Sequence, residues 1–240
     1  MEGLNIFDPY EIRARIFPSI LVLSPVLILF FSIISLSDTI WKILVELGIF
    51  FVLIYGFSYP VRMLGVQFQN EKWKISGAPS TIILRGDDPT FSQELKQQLY
   101  IAITKKYSID IPRNDEQRKT PNHFDKIIDD IFLRVRSDLR KMDKDKNLWS
   151  SHNAEYGFAR NLIGSRAVLL ILSIICTFIG LILFLVDSSS VRLFGVCINS
   201  AVCLISIIGG WYLLPIFFDY TSYEYAKSAW MAFLSFSTKE

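Results

Sequence analysis

Apolar and polar residues lie along this chain in long blocks. Four blocks are almost free of charged residues: 17–36, 39–58, 167–186 and 191–215. Each is close to the roughly 20 residues that a helix needs to cross the hydrocarbon core of a bilayer. The third block carries no charged side chain at all. The pattern therefore predicts an all-α integral membrane protein with four transmembrane helices.

The lengths of the polar stretches between the blocks predict how the spans are connected. Short polar turns separate the first span from the second and the third from the fourth, so each pair forms a hairpin. A long charged stretch lies between the two hairpins and predicts a helical insert. We accordingly divide the chain into an interfacial helix with the first hairpin (1–58), the insert (59–166), the second hairpin (167–215) and an aromatic tail (216–240).

Within the insert, two amphipathic helices are predicted. One begins at Asp87-Asp88-Pro89 and the other at Pro121, because proline is favoured in the first turn of a helix. The STIILR stretch at 80–85 is typical of a short strand, but a loop lying over the helices fits it as well. The tail is expected to pack on the bilayer surface or against the insert.

The distribution of basic residues predicts the orientation. The two hairpin turns contain Lys42 and Arg192 as their only basic residues, whereas all the others lie on the opposite side of the spans. The positive-inside rule therefore places both termini and the insert in the cytoplasm. We expect a multi-pass protein of a bacterial inner membrane.

Two polar residues inside the apolar blocks are candidates for lining a pore. A carboxylate such as Glu46 costs a few kcal/mol inside a bilayer unless it is protonated, paired or exposed to water. Pairing with Lys42, one helical turn earlier, is the simpler interpretation. Asn199 lies in the fourth span, where a buried amide more often bonds to a neighbouring helix than lines a conduction path.

Composition argues against most enzyme classes. The three cysteines all lie in apolar blocks, and the two histidines, His123 and His152, have no metal-ligand spacing. No glycine-rich phosphate loop occurs. We therefore expect no catalysis, no cofactor and no metal. We expect no nucleic-acid partner, because acidic residues are interspersed with the basic ones on the second insert helix.

The stretch 153–166 before the third span, which we call the cuff, is the most distinctive segment. It combines aromatic, polar and basic residues, of which we single out Asn153, Glu155, Tyr156, Phe158, Arg160, Asn161 and Arg166. It runs into the third span without an obvious helix breaker. The cuff is expected either to pack against the insert or to pass a change in the insert to the third span. Arg160 and Arg166 are also candidates to bind lipid phosphates.

The string Asn-x-Glu-Tyr-Gly-Phe-x-Arg-Asn-Leu at 153–162 and the tail string Tyr-Glu-Tyr-Ala-Lys at 223–227 resemble small membrane proteins of bacterial mobile-element and anti-phage loci. The resemblance covers about the last 95 residues. It implies a membrane-embedded effector or sensor, often a homo-oligomer, that couples a cytoplasmic signal to pore formation or membrane perturbation. The signal would be a cytosolic protein or a small molecule that binds the insert. The alternative is a non-conducting scaffold whose insert recruits a protein partner.

Overall fold

The computed structural model describes residues 9–33, 40–109, 111, 121–142 and 148–237, without the side chains of 40–47, 121–123, 142 and 148. All regular secondary structure in these ranges is helical. The prediction of an all-α protein is therefore confirmed for the described part of the chain.

The described ranges contain ten α-helices and two π-helices. They are α1 (Pro9–Glu11), a first π-helix (Ile12–Ile16), α2 (Phe17–Ile33), α3 (Ile40–Ser76), α4 (Pro79–Ile82), α5 (Gln93–Tyr107), α6 (Pro121–Met142), α7 (Leu148–Gly164), α8 (Arg166–Val186), α9 (Ser190–Ile208), a second π-helix (Gly209–Leu213) and α10 (Leu214–Ser237).

Within the described residues, four helical stretches are long and apolar enough to cross a membrane: Pro9–Ile33, Gly48–Ile82, Arg166–Val186 and Ser190–Ser237. Each overlaps one of the four apolar blocks, which supports the prediction of a membrane protein with four spanning helices. The second and the last extend well beyond the predicted ends of their blocks. The second π-helix begins at Gly209 and joins α9 directly to α10, so the helix continues through the pair Gly209-Gly210.

The chain forms two compact units. Unit 1 comprises Met1–Gln69 and Ala154–Phe218, and unit 2 comprises Asn70–Asn153 and Asp219–Glu240. Their boundaries differ from those of the four predicted segments, because α3, α7 and α10 are continuous helices that contribute residues to both units.

Unit 1 contains a bundle in which α2, α8 and α9 pack against one another. A close approach is possible at Gly195, where an added Cβ would lie 2.7 Å from Cβ of Ser32. Pro25 lies inside α2 and cannot donate a backbone hydrogen bond to the carbonyl of Leu21. The hydroxyl of Ser24 donates to that carbonyl instead, at 2.8 Å. The helix therefore tolerates the proline in an apolar environment.

Unit 2 is organised around the segment 79–88. The carbonyl of Ser80 accepts a hydrogen bond from Nε1 of the fully buried Trp230, at 2.8 Å. The hydroxyl of Tyr100 donates to the carbonyl of Leu84. Arg85 donates from Nε to a carboxylate oxygen of Asp125 at 3.1 Å, and from Nη2 to the other. Side chains of three helices thus bind this segment from several directions.

The strand interpretation of 80–85 is wrong. Residues Pro79–Ile82 form a short helix, and turns follow it. Ile83 and Leu84 are fully buried. An apolar run of this kind is compatible with a strand or with a short buried segment, and periodicity alone does not separate the two.

The first insert helix begins later than predicted. Pro89 lies in a bend, and α5 starts at Gln93, where the hydroxyl of Ser92 accepts a hydrogen bond from the backbone N–H of Leu95 at 3.2 Å. Serine is a favoured residue at this capping position. The predicted start at Asp87-Asp88-Pro89 is therefore wrong by several residues.

The described part of the tail belongs to helix α10, and from Asp219 onwards it is part of unit 2. The ring of Trp230 lies 5.2 Å from that of Phe132, and the rings of Phe233 and Tyr107 stack at 5.8 Å. Of the two placements expected for the tail, packing against the insert is the one these contacts show.

Candidate functional site

The cuff forms the last part of α7 and the start of α8, and it meets several other helices of unit 1. The sequence predicted that the cuff runs into the third span without a break, but the structure has a break between them. Ser165 has φ −98° and ψ 4°, so α7 ends at Gly164 and α8 begins at Arg166. The backbone N–H of Ser165 still bonds to the carbonyls of Asn161 and Leu162 at 3.3 and 3.2 Å. The break therefore redirects the chain without leaving this donor unpaired.

Three glycines allow the helix backbones to approach closely at this point. A Cβ added at Gly157 would lie 2.8 Å from Cβ of Ala14. One added at Gly65 would lie 2.5 Å from Oδ1 of Asn161, and one added at Gly164 would lie 2.6 Å from Cα of Gly65. Real Cβ atoms cannot occupy such positions unless a neighbour moves. We call this meeting point of the cuff, the first π-helix, α3 and the second π-helix the cuff junction.

Asn161 connects the cuff to the first π-helix. Its side chain is fully buried, and Nδ2 donates to the carbonyl oxygen of Ala14 at 2.6 Å. Oδ1 accepts a hydrogen bond from Nε of Arg160 at 3.2 Å. Around Ala14 the regular helical bonding is replaced by an i→i+5 bond from the N–H of Phe17 to the carbonyl of Ile12. The asparagine therefore binds the backbone where the α-helical hydrogen bonding is interrupted.

Arg166 connects the start of α8 to the second π-helix. Its Nη1 donates to the carbonyl oxygen of Gly210 at 3.2 Å. Its guanidinium carbon lies 5.1 Å from the ring centroid of Trp211 and 5.6 Å from that of Phe68. These distances are within the range of cation–π attraction. In this π-helix too, the N–H of Leu214 bonds to the carbonyl of Gly209, five residues earlier.

Tyr156 and Arg160, which precede Asn161 in the cuff, bind α3. The hydroxyl of Tyr156 donates to Oε1 of Gln69, and Nη1 of Arg160 reaches the same oxygen at 3.4 Å. The Arg160 guanidinium carbon also lies 5.7 Å from the centroid of the Tyr156 ring. The Tyr156 ring contacts that of Phe218 at 5.9 Å. Gln69 thus accepts hydrogen bonds from two cuff side chains.

The three remaining predicted cuff residues are Phe158, Glu155 and Asn153. Phe158 packs against Val22, Val61 and Leu162 in the apolar core of unit 1, and its ring lies 6.4 Å from that of Phe217. Glu155 is exposed, and Asn153 is half-buried at the end of unit 2. The junction therefore gathers Tyr156, Phe158, Arg160, Asn161 and Arg166, and not the whole predicted set.

Sequence reasoning missed the glycines, Gln69 and both π-helices. Gly157 lies in the cuff string itself, and Gly65 and Gly164 are isolated glycines in helical stretches. Such a glycine costs about 1 kcal/mol relative to alanine unless close packing requires it. This signal was available in the sequence. The periodicity of apolar residues, in contrast, does not indicate where a π-turn occurs.

The two candidate pore residues are only partly described. Glu46 lies within α3, but its side chain is outside the described residues. Asn199 is buried, and its Nδ2 donates to the carbonyl oxygen of Pro25 at 3.3 Å. The amide therefore connects α9 to α2, and a pore-lining role for either residue stays a prediction.

The groups that meet at the junction are amides, guanidiniums, backbone carbonyls and the hydroxyl of Tyr156. Hydrogen bonds between them join the cuff to its neighbouring helices. Among the residues that the structure describes, no three His, Cys, Asp or Glu side chains are grouped so as to hold a metal ion. The site as described is suited to holding helices in one arrangement.

Comparison of the chain with protein-family models, with curated proteins and with solved structures finds no match in any of the three. The resemblance to membrane proteins of anti-phage loci therefore stays a prediction based on the two short strings.

Proposed function

We propose that this protein is a membrane-embedded effector or sensor, in which the cuff junction couples a cytoplasmic signal to a change in the permeability of the bilayer. One observation carries this proposal. The cuff binds a backbone carbonyl in each π-helix: Asn161 binds Ala14, and Arg166 binds Gly210. One π-helix precedes the apolar stretch of the first span and the other follows that of the fourth.

A π-turn is a suitable element for such coupling. It accommodates one more residue than the corresponding α-helical turn, it is rare, and it occurs often at functional sites. Its conversion to a regular α-helical turn would rotate the adjoining helix by about 100° per residue of register. A displacement of the cuff that releases either carbonyl would thus change which face of a span meets its neighbours.

The signal would enter through the helices of unit 2, which would lie in the cytoplasm. Each of the three chain connections between the units lies within a helix, namely α3, α7 and α10. A continuous helix transmits a displacement along its axis better than a flexible loop does. Homo-oligomerisation, a bacterial inner membrane and a role in defence against phage are the parts of this proposal that rest on orientation rules and on the resemblance.

The test measures membrane potential with a voltage-sensitive dye in bacteria that express the protein, with and without phage challenge. We expect depolarisation with the wild-type chain and a changed threshold or amplitude with Asn161→Leu. The matched control is Asn70→Leu, the same substitution at an exposed position of α3. The amount of each variant in the membrane fraction is measured in parallel, and Arg166→Lys serves as a milder variant if Asn161→Leu does not accumulate.

An unchanged potential in both conditions, with wild-type protein present in the membrane, would contradict the effector function. The scaffold alternative would then be tested by isolating partners of the full-length chain. Equal effects of Asn161→Leu and Asn70→Leu would instead contradict the role of the junction while leaving the effector function in place.

A further inference from the structure

Three arginines from three helical segments of unit 1 lie beside the cuff junction. Arg15 follows Ala14, whose carbonyl bonds to Asn161, and Arg160 precedes Asn161. Arg62 lies one turn before Gly65, where an added Cβ would be 2.9 Å from the carbonyl oxygen of Arg160. Arg62 is close enough to both Arg15 and Arg160 for their charges to act on it. Arg15, Arg62 and Arg160 therefore belong to backbone segments that meet at the cuff junction, and we call these three residues the arginine cluster.

The positive charge of the cluster is only partly balanced. Arg15 pairs with Glu11 at 2.5 Å. The hydrogen bonds of Arg160 go to the neutral amide oxygens of Asn161 and Gln69. Arg62 is exposed, and within the described ranges no carboxylate lies within ion-pair distance of it. Among the described residues, Glu11 is the one carboxylate in an ion pair with these three guanidiniums. The guanidiniums stay protonated at any physiological pH, so the described part of the cluster keeps a net positive charge.

Tyrosines lie near members of the cluster. The Tyr10 side chain is near enough to Arg62 to interact with it electrostatically, and Tyr55 is similarly near Glu11 and Arg15. The rings of Tyr55 and Tyr59 pack edge to face at 5.9 Å, and Tyr59 is 48% exposed. Tyrosines are enriched at the level of the lipid headgroups, where an aromatic ring and a hydroxyl group are both well solvated.

Exposed apolar side chains continue from the cluster along the spans. Phe17 and Leu21 follow Arg15 on α2 and are 49% and 43% exposed. The apolar stretch of α3 precedes Arg62. The cluster thus lies where charged side chains give way to an apolar helix surface. This is the arrangement expected for a group that contacts a headgroup while its neighbours contact acyl chains.

We propose that Arg15, Arg62 and Arg160 bind the phosphate group of an anionic phospholipid. The planar guanidinium matches a phosphate with two parallel hydrogen bonds, and binding an anion relieves the mutual repulsion of the three cations. The exposed apolar surface beside the cluster favours a lipid over a soluble phosphate compound. This binding would occur whether or not the junction transmits a signal.

The experiment uses the full-length protein in a neutral detergent and counts bound lipids by native mass spectrometry. The lipids are phosphatidylglycerol and, for comparison, zwitterionic phosphatidylcholine. We expect preferential retention of phosphatidylglycerol by the wild-type chain. Arg62→Gln should weaken it about fivefold, the factor that corresponds to the loss of one basic side chain at a charged lipid surface. Arg62→Lys should retain more binding than Arg62→Gln.

The matched control is Arg13→Gln, which removes one exposed arginine from the same π-helix but outside the cluster. An equal loss with Arg13→Gln and Arg62→Gln would mean that the attraction is diffuse, and would overturn the site. Glycerol phosphate is added as a soluble competitor. If it displaces phosphatidylglycerol as effectively as a short-chain phosphatidylglycerol does, the cluster binds free phosphates and the lipid assignment is wrong.

Discussion

Nδ2 of Asn161 lies 2.6 Å from the carbonyl oxygen of Ala14, a residue 147 positions earlier in the chain. Both residues are fully buried, and the carbonyl belongs to a helix that has lost its regular α-helical bonding at this point. A hydrogen bond of this kind makes only a small net contribution to the free energy of folding. A buried donor or acceptor left without a partner, however, lowers stability considerably. The local structure of the first π-helix therefore depends on a side chain from the second half of the sequence.

Asn161→Leu should destabilise unit 1 by about 1–3 kcal/mol, since it removes the donor to Ala14 and the acceptor of Arg160 while adding an apolar group. The measurements are thermal unfolding in detergent and amide hydrogen exchange. We expect faster exchange at residues 12–17 than in the wild-type protein. Asn70→Leu should alter neither, because Asn70 is exposed. Unchanged exchange in the first π-helix would show that Asn161 does not maintain it.

Gly65→Ala should be more damaging than an ordinary change of this type. The added Cβ would lie 2.7 Å from Cα of Asn161, and a backbone atom cannot move aside as the end of a flexible side chain can. Overpacking of this kind costs about 1–3 kcal/mol. Gly56→Ala is the control, because nothing lies within 4 Å of its added Cβ, and it should be neutral or stabilising by up to about 1 kcal/mol. Equal melting temperatures for the two variants would refute the close approach.

Arg166→Lys should lower stability although the charge is kept. A lysine ammonium cannot present a planar group to Trp211 and Phe68 while it also donates to Gly210. We expect a loss of about 1–2 kcal/mol, in the range of a desolvated cation–π contact with its hydrogen bond. We also expect a change in the Trp211 contribution to fluorescence, measured against Trp211→Phe. Arg62→Lys, at an exposed position of α3, should leave both unchanged.

Lys96 should make the stability of unit 2 depend on pH at alkaline values. The side chain is fully buried, and Nζ donates to the carbonyls of Arg85 and Asp88, both at 2.5 Å. Burial lowers the pKa of Lys96 below its ordinary value of 10.5, and the carboxylates of Asp88 and Asp87 oppose this only in part. The folded chain therefore holds this proton less tightly than the unfolded chain does.

This difference makes the stability of unit 2 rise with pH. Between the lowered pKa and 10.5, the unfolded chain binds more protons, so stability rises with pH by at most about 1.4 kcal/mol per pH unit. Below the lowered pKa this contribution is constant. We expect the wild-type protein to gain stability relative to Lys96→Met as the pH rises through the window. Parallel curves for the two proteins would show that Lys96 keeps its ordinary pKa.

The number and approximate bounds of the spanning helices could be predicted from the sequence because they depend on local composition. An apolar run of about 20 residues has one favourable arrangement in a bilayer, whatever surrounds it. The cuff was also recognisable, since arginines and aromatic residues beside an apolar block are unusual enough to stand out. Starts of helices were less predictable. Asp-Asp-Pro at 87–89 fits the start of a helix, but α5 begins after Ser92, whose side chain accepts a hydrogen bond from the N–H of Leu95.

What the sequence by itself determined, then, is which stretches are apolar and helical, because each such property is summed over neighbouring residues. Only the tertiary structure decided which cuff residue binds which helix: Asn161 binds the first π-helix, Arg166 binds the second, and Arg160 binds Gln69 of α3. These pairings join residues that are far apart in the chain. They also depend on glycines at which two helix backbones approach closely, and that approach is visible only once the helices are packed. The π-helices belong to the same class, because their widened turns are held in place by side chains from elsewhere in the fold.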